Sequence, residues 1–256
     1  MINKNIKVVI PAHYNSSRLP GKPLIDLGGE PMIINVVSRV AKALPTADLW
    51  VATDDLRIKD VVLAYGYQVM ITSTSHESGT DRIAEVSENL GWADDEIIIN
   101  IQGDEPLIDI DLLQKFSGFC LIHIGLDMAS VMAPITSLYD IDDINVVKVT
   151  VNKNGQATMF SRSPLPYCRD IPLKQWPVEY FNRHVGIYAY KASVLRELSN
   201  TPPCQSEKLE KLEQLRALWL GYHIEMLQWK QPLHAGVDTF DDVLRVRKIL
   251  NKKVDE

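Results

Sequence analysis

The 256-residue chain is short of cysteine, of long apolar runs and of excess positive charge, and each shortage removes a class of function. Cys120, Cys168 and Cys204 stand far apart, with no C-x-x-C pair among them. That number and spacing support neither a disulfide framework nor a structural zinc site, and a reducing cytoplasm is the expected compartment. No apolar stretch approaches the roughly 20 residues that span a bilayer. The apolar run inside MINKNIKVVIPAHY is too short for a signal peptide, so no membrane association is expected. Lys and Arg total 27 against 33 Asp and Glu, a net charge of -6, which argues against nucleic acid polymers and anionic membranes as partners. A small anion needs only a few local cations and stays possible. Also missing are a Walker A sequence, a Ser-His-Asp or Cys-His nucleophile pattern, internal repeats and low-complexity tracts.

What is present is a core: 46% of the residues are hydrophobic, enough for one large α/β domain or a domain with a sizeable appendage. Buried strands are predicted at 6–12, 49–53, 69–72 and 96–101, separated by helices at 31–44, 55–65 and 80–90. Apolar strands spaced by helices need crossover connections and give a mainly parallel sheet. Ligands of such sheets sit beyond the carboxyl ends of the strands, and the chemically suggestive segments 13–22, 53–55 and 102–106 fall there. The second half changes character. A hairpin is predicted from 146–151 through the Asn152-Lys153-Asn154-Gly155 turn to 156–161, followed by a proline-rich excursion at 163–177. A strand at 184–190, a helix at 207–220 and a closing helix at 240–250 complete the expectation, with Asp238-Thr239 offering capping oxygens before the last. In the helix 207–220, Leu209, Leu212, Leu215 and Trp219 read as a core stripe, with Glu207 and Lys211 as an i,i+4 pair on the wet side. The expected layout is a single domain whose character changes at about residue 110, the second half adding strands to the sheet and covering its ligand face.

Five segments could carry chemistry. PAHYNSSRLPGKPL (11–24) packs Arg18, Lys22 and small residues after a strand, where backbone N–H groups and two cations could cradle a polyphosphate. An ordinary strand-to-helix loop with solvated cations fits it equally well. Gln102-Gly103-Asp104-Glu105-Pro106 ends the driest strand on a carboxylate, which points to a ligand or metal because Asp is costly near a core; a tight turn is the alternative. One carboxylate is adequate for magnesium, which fills its shell with water and phosphate oxygens. Gly236-Val237-Asp238-Thr239 reads first as a helix cap, and second as a partner of Asp104 in a metal site. His76 to Arg82 opens a helix with small residues that let a ligand approach the backbone, or serves simply as a cap through Ser78 or Thr80. Arg162, Arg169, Arg183 and His184 flank the irregular segment and suit a carboxylate or phosphate, although solvated surface charge is the commoner explanation.

Taken together, the loop 11–24, VATDD (51–55), HESGTDR (76–82), NIQGDEP (100–106), FSR (160–162), RHVGIYAY (183–190), LEQLRALWLG (212–221) and GVDT (236–239) resemble the 3-deoxy-manno-octulosonate cytidylyltransferases, the CMP-Kdo synthetase family. The likeness runs in one order from about residue 6 to residue 249. It implies a nucleotidyltransferase fold of the glycosyltransferase-A kind with an added β-rich sugar-binding and dimerisation region, in a single domain with about 1–110 as the nucleotide-binding half and 111–256 as the acid-sugar-binding and dimerisation half. It also implies a homodimer, CTP and Kdo as substrates, Mg²⁺ as cofactor and a product used in lipopolysaccharide assembly. On this resemblance Arg18 and Lys22 hold the triphosphate, with Ala12 and His13 lining the nucleotide. Ser78 and Gly79 face the cytidine with Gln102 nearby, and Asp104 and Asp238 ligate magnesium. Arg162, Arg169, His184, Tyr188, Glu213 and Gln214 line the acid-sugar pocket.

Two departures stand out. His13 occupies the family's arginine position, replacing a permanent cation by a side chain that is mostly neutral at pH 7, and Cys168 stands where an Asp usually precedes the Arg-Asp pair. Three rival readings share most of the motifs: CMP-sialic acid synthetase, activation of a Kdo carrying an amino group at carbon eight, and a catalytically silent CTP-binding protein.

Overall fold

The computed structural model describes residues 6–15, 19–76, 78–123 and 125–252. In chain order these form β1 (Lys7–Ala12), α1 (Met32–Ala43), β2 (Asp48–Thr53), α2 (Leu56–Ala64), β3 (Gln68–Ile71), α3 (Gly79–Asn89), β4 (Ile97–Asn100) and α4 (Ile110–Ile122). There follow β5 (Met128–Pro134), α5 (Leu138–Asp142), β6 (Lys148–Val151), β7 (Ala157–Ser161) and β8 (Asn182–Lys191). The chain ends through α6 (Ala192–Asn200), α7 (Gln205–Glu210), α8 (Gln214–Trp219), β9 (Ile224–Gln228) and α9 (Phe240–Lys252). Two compact units result, residues 1–118 with 233–256, and residues 119–232. The segment 233–256, expected with the second half, therefore belongs to the first unit. Among the described residues no helix is long and apolar enough to cross a membrane.

In the first unit the strands lie in the order β3-β2-β1-β4, with every pairing parallel. Val8, Val9 and Ile10 of β1 and Ile98 and Ile99 of β4 are fully buried. That dryness explains their unbroken apolar sequence, since helices cover both faces of a parallel sheet. Each such side chain contributes about 1.5–3 kcal/mol through burial. Because all four strands run the same way, the loops after β1, β2, β3 and β4 emerge at one edge, which is where the expected ligand segments lie. Helix α9 packs through Val243 and Val246 against Leu27, Met32, Leu107 and Val237.

In the second unit β5 pairs antiparallel with β8 and parallel with β9, while β6 pairs antiparallel with β7 and β8. The expected hairpin is present as β6 and β7, its turn closed by Asn152 Oδ1, which accepts from the N–H groups of Asn154 and Gln156. Residues 163–177 are irregular as expected apart from a 3-10 turn at Leu173–Gln175, and pinned by Trp176, which stacks on Phe181 at 5.6 Å and donates its indole N–H to Ile171 O.

The predicted helix 207–220 needs correction. It is broken between α7 and α8 at Lys211, whose φ of 54° is left-handed. In a continuous helix, positions 207 and 216 would face opposite sides, about 13 Å apart along the axis. The break lets Arg216 turn back onto the buried Glu207 carboxylate, donating Nε at 2.8 Å and also Nη2, while Nη1 donates to the carbonyls of Leu198 and Thr201. Glu207 is thus a buried partner of Arg216 rather than a surface partner of Lys211. The supposed stripe dissolves too: Leu212 and Leu215 are buried, but Leu209 and Trp219 are exposed.

Candidate active site

The site in the first unit is assembled by three loops. After β1 the chain reverses at Gly21, whose N–H donates to Tyr14 O at 3.1 Å. Its φ is +69°, and a Cβ there would stand 3.1 Å from the Tyr14 hydroxyl oxygen, so a side chain would meet both backbone strain and a clash. The reversal starts a 3-10 turn at Lys22–Leu24 and sends the Lys22 side chain inward. Its ammonium donates to Asp104 Oδ2 at 2.7 Å, to Val237 O at 2.7 Å and to Asp238 Oδ1 at 3.1 Å.

Asp104 reaches this point because Gly103 lets the loop after β4 lie directly on β1: a Cβ at Gly103 would sit 2.7 Å from Pro11 O. Asp238 reaches it because other groups cap α9. Asp242 Oδ2 accepts from the N–H groups of Asp238 and Thr239 at 3.1 and 3.0 Å, and Thr239 Oγ1 accepts from Asp242 N at 3.4 Å. Burial works against ionisation of Asp242, yet hydrogen bonds from Thr239, from Asp238 N–H and from Arg245 bring its pKa down to about 2. Of the two roles open to Asp238, the cap falls to its neighbours and its carboxylate faces Lys22. Residues 22, 104 and 238, hundreds of positions apart at the extremes, meet at one ammonium.

That geometry suits a hard divalent cation. Asp104 and Asp238 already converge on a positive charge, and both present carboxylate oxygens. Among the described residues no cluster of three or more His, Cys, Asp or Glu could hold a metal. Two carboxylates with the remaining positions left to water and phosphate is the pattern magnesium takes at nucleotide sites.

Above these groups opens a cleft of about 390 Å³. It brings together Ala12, His13, Lys22, Ser78, Gly79, Gln102 and Asp104. Arg18, the other expected phosphate ligand, lies outside the described residues. Ser78 doubles as the N-cap of α3, accepting from Asp81 N at 3.1 Å, so the cap and the ligand-facing readings of HESGTDR are compatible. Sequence reasoning assigned no role to His76, Asp54 and Arg82, which also line the cleft. His76 Nε2 lies 2.5 Å from Glu85 Oε2, and Arg82 donates to Asp54 Oδ2 at 2.9 Å and to Thr72 Oγ1 at 2.5 Å. Arg82 is therefore occupied in tying the start of α3 to the ends of β2 and β3.

The acid-sugar candidates all lie in the second unit. His184 and Tyr188 have ring centroids 5.2 Å apart, and Tyr188 donates its hydroxyl to Gln214 Oε1 at 3.1 Å. Gln214 Nε2 is buried without a partner among the described residues. Burial, reinforced by Arg183, pushes the His184 pKa down to about 3, so the ring is neutral near pH 7. Burial, with Tyr190 and Glu213 beyond it, raises that of Tyr188. Glu213 precedes α8 and is exposed. Arg162 is tightly held: Nε donates to Glu210 O at 2.7 Å, Nη1 to Ile144 O at 2.8 Å, and its N–H to Glu210 Oε2 at 2.8 Å. Its carbonyl accepts from the fully buried Lys148 ammonium at 2.5 Å. Arg169 stands out in solvent beside Asp170, 3.6 Å away.

A family model described as cytidylyltransferase matches residues 7–226. A 3-deoxy-manno-octulosonate cytidylyltransferase 2 of Paraburkholderia phytofirmans is 52% identical over 247 residues, covering 96% of this chain and 94% of its own. The chain belongs to the 3-deoxy-manno-octulosonate cytidylyltransferase family. It is accordingly a nucleotidyltransferase. A further relative, the 3-deoxy-manno-octulosonate cytidylyltransferase of Thioalkalivibrio sulfidiphilus, is 44% identical over 96% of this chain and 99% of its own. Among solved structures, a CMP:2-keto-3-deoxy-manno-octonic acid synthetase in complex with CTP superposes with a TM-score of 0.89 at 38% identity, covering 97% of this chain and 99% of the other. A glucose-1-phosphate thymidylyltransferase of Bacillus anthracis, at 16% identity and a TM-score of 0.64, shares the fold.

Proposed function

We propose that this cytidylyltransferase transfers the cytidylyl group of CTP to Kdo, releasing pyrophosphate and forming CMP-Kdo for lipopolysaccharide assembly. The observation that carries the reading is the convergence of Asp104 and Asp238 on the ammonium of Lys22, with Lys22 and Asp104 lining the cleft. The anomeric hydroxyl of the sugar attacks the α-phosphorus in line, and the oxygen bridging to the β-phosphorus leaves with pyrophosphate. Both reactants are anions, so the work of the site is positioning and charge neutralisation rather than covalent catalysis. Asp104 and Asp238 would hold Mg²⁺, which when bound supplies charge neutralisation at the phosphates and the attacking oxygen. Lys22 sits beside both carboxylates and would share its charge with the triphosphate. Ser78, Gly79 and Gln102 would receive the cytidine, with Ala12 and His13 beside the phosphates and Arg18 as a second triphosphate cation. In the second unit, His184, Tyr188 and Gln214 offer uncharged donors and acceptors suited to a polyhydroxylated acid, with Arg162, Arg169 and Glu213 as charged companions.

The enzyme is taken to act in the cytoplasm as a homodimer. Its free Cys120, Cys168 and Cys204 suit a reducing compartment, and sedimentation at micromolar concentration tests the dimer. For the activity, the protein is incubated with CTP, Mg²⁺ and in turn Kdo, 8-amino-Kdo and N-acetylneuraminic acid, with pyrophosphate measured. Kdo is expected to give the highest kcat/KM. Preference for another sugar reassigns the substrate, and no release with any of the three makes the chain a silent CTP-binding protein.

A further inference from the structure

His184 and Tyr188 are four residues apart on β8, which in a regular strand would separate them by about 13 Å. Their rings are nevertheless in contact at 5.2 Å. The cause is a break in the ladder. Ser130 of β5 pairs with Tyr188, but Val131 pairs with Val185, so Gly186 and Ile187 bulge out between them. Bulges re-aim side chains in this way, and a glycine inside a strand is a frequent sign of one.

Ser130 fills the bulge. It is wholly buried, and its Oγ lies 2.8 Å from Ile187 O, 3.3 Å from Val185 O and 2.9 Å from His184 Nε2. A hydroxyl has a single proton to donate. Both carbonyl oxygens can only accept, so that proton goes to them, with Ile187 at the shorter distance. The Ser130 lone pair then faces His184 Nε2, and an unprotonated Nε2 would set two lone pairs against each other. Nε2 must therefore carry the hydrogen and donate to Ser130. The neutral ring is left with its lone pair on Nδ1, which has no hydrogen bond among the described residues. Gln214, joined to the His184 neighbour Tyr188, has the complementary shortage: its Oε1 is taken by Tyr188 and its buried Nε2 lacks an acceptor among the described residues. A buried polar atom left without a partner calls for one, and in a sugar site a hydroxyl of the ligand can supply it.

We propose that Ser130 is a positioning residue of the acid-sugar site: it staples the β8 bulge and locks His184 in the Nε2–H tautomer, so that Nδ1 accepts a hydrogen bond from a sugar hydroxyl. The proposal rests on the reading of His184, Tyr188 and Gln214 as sugar-binding residues. It assigns to a serine outside every motif the choice between an accepting and a donating imidazole, and hence which hydroxyl orientation the site takes.

The test begins with the full-length protein labelled with ¹⁵N-histidine and a long-range ¹H–¹⁵N correlation spectrum at pH 7, with His184 assigned by its loss in His184→Gln. Wild type is expected to show a protonated Nε2 and a bare Nδ1; the opposite tautomer overturns the proposal. In Ser130→Ala the tautomer is no longer locked, and the KM for Kdo is expected to rise about tenfold while that for CTP stays within twofold. A Ser130→Ala protein that keeps both the wild-type tautomer and the wild-type Kdo KM also overturns it. If Ser130→Ala does not fold, the wild-type spectrum still decides. Failure of the functional reading looks different: the tautomer is as stated, but no acid sugar is turned over.

Discussion

Lys22 fills with its own ammonium the point on which two carboxylates converge, so replacing it by Met separates structural charge balance from cation binding. Three hydrogen bonds are lost, at 2.7, 2.7 and 3.1 Å. Hydrogen bonds to charged groups are worth about 1.5–3 kcal/mol each when well shielded. Here the Asp104 and Asp238 side chains are 34% and 50% exposed, so water already screens much of the attraction. A net loss of about 1–2 kcal/mol is the reasonable figure, equivalent to a fall of about 2–8 °C in Tm for a chain of this size.

The decisive part is what a divalent ion then does. In wild type the ion must displace the ammonium before it can use both carboxylates; in Lys22→Met they converge with no cation between them. The 1–2 kcal/mol no longer lost to displacement corresponds to about 5- to 30-fold tighter binding without nucleotide. Mn²⁺ binding followed by electron paramagnetic resonance, and thermal midpoints with and without Mg²⁺, both read this directly without any turnover. Lys22→Met is expected to bind Mn²⁺ more tightly and to gain more Tm from Mg²⁺ than wild type, and Asp104→Asn in the same background is expected to abolish the gain. Equal metal affinity in wild type and Lys22→Met would refute the reasoning, because the ammonium and the ion would then not share a site.

Gly103→Ala puts a Cβ 2.7 Å from Pro11 O; overpacking of this kind costs about 1–3 kcal/mol, and because it displaces Asp104 the loss in kcat should exceed the loss in CTP affinity. Arg216→Met leaves the Glu207 carboxylate buried and unpaired, so chemical denaturation should show a loss of about 3–5 kcal/mol, whereas Leu209→Ala on the exposed side should show almost none. His184 has a folded pKa of about 3 against about 6.5 unfolded. Between those values the unfolded state binds the extra proton, so stability is full above about pH 6.5 and falls by about 1.4 kcal/mol per unit below it. His184→Phe should lessen the change in urea midpoint between pH 7 and 5.5, and an unchanged slope counts against the neutral ring. His13 is exposed and lines the cleft, and His13→Arg should tighten CTP by roughly tenfold or more in calorimetry, an added charged hydrogen bond being worth about 1.5–3 kcal/mol; unaltered affinity means that the side chain points away from the phosphates.

What could be read in the sequence follows from how each feature is encoded. The strands of the first unit were legible because a parallel strand covered on both faces writes itself as a plain apolar run, as KVVIPA and IIIN do. The ligand loops were legible because they follow those strands in the chain, so Lys22 and Asp104 could be placed at one sheet edge before any coordinates. Asp238 could not be separated from a helix cap, since that choice turns on Thr239 and Asp242 taking the cap between them. The sequence reading assigned no element to α4, β5, α5, α6 or β9. Strand β5 is MASVMAP, buried along nearly its whole length, and a short apolar run without alternation does not distinguish strand from helix.

The features that were misread or missed share a cause, which is a partner distant in sequence overriding a local pattern. The spacing of Leu209, Leu212, Leu215 and Trp219 satisfies a helix, and nothing local says that the helix must break. The break is demanded by Arg216, whose buried guanidinium needs the Glu207 carboxylate and two carbonyls at once. Leaving it unpaired would cost more than one left-handed lysine, a strain of order 1–3 kcal/mol. Ser130 is the more instructive case, because a serine inside an apolar strand carries no motif at all. Its role exists only once Gly186 and Ile187 have left the ladder, so that the Val185 and Ile187 carbonyls both face it. A binding group recognised by resemblance, such as His184, thus depends on a hydroxyl more than fifty residues away that resemblance did not mention. The donor or acceptor character of that group is set by the hydroxyl and not by the motif.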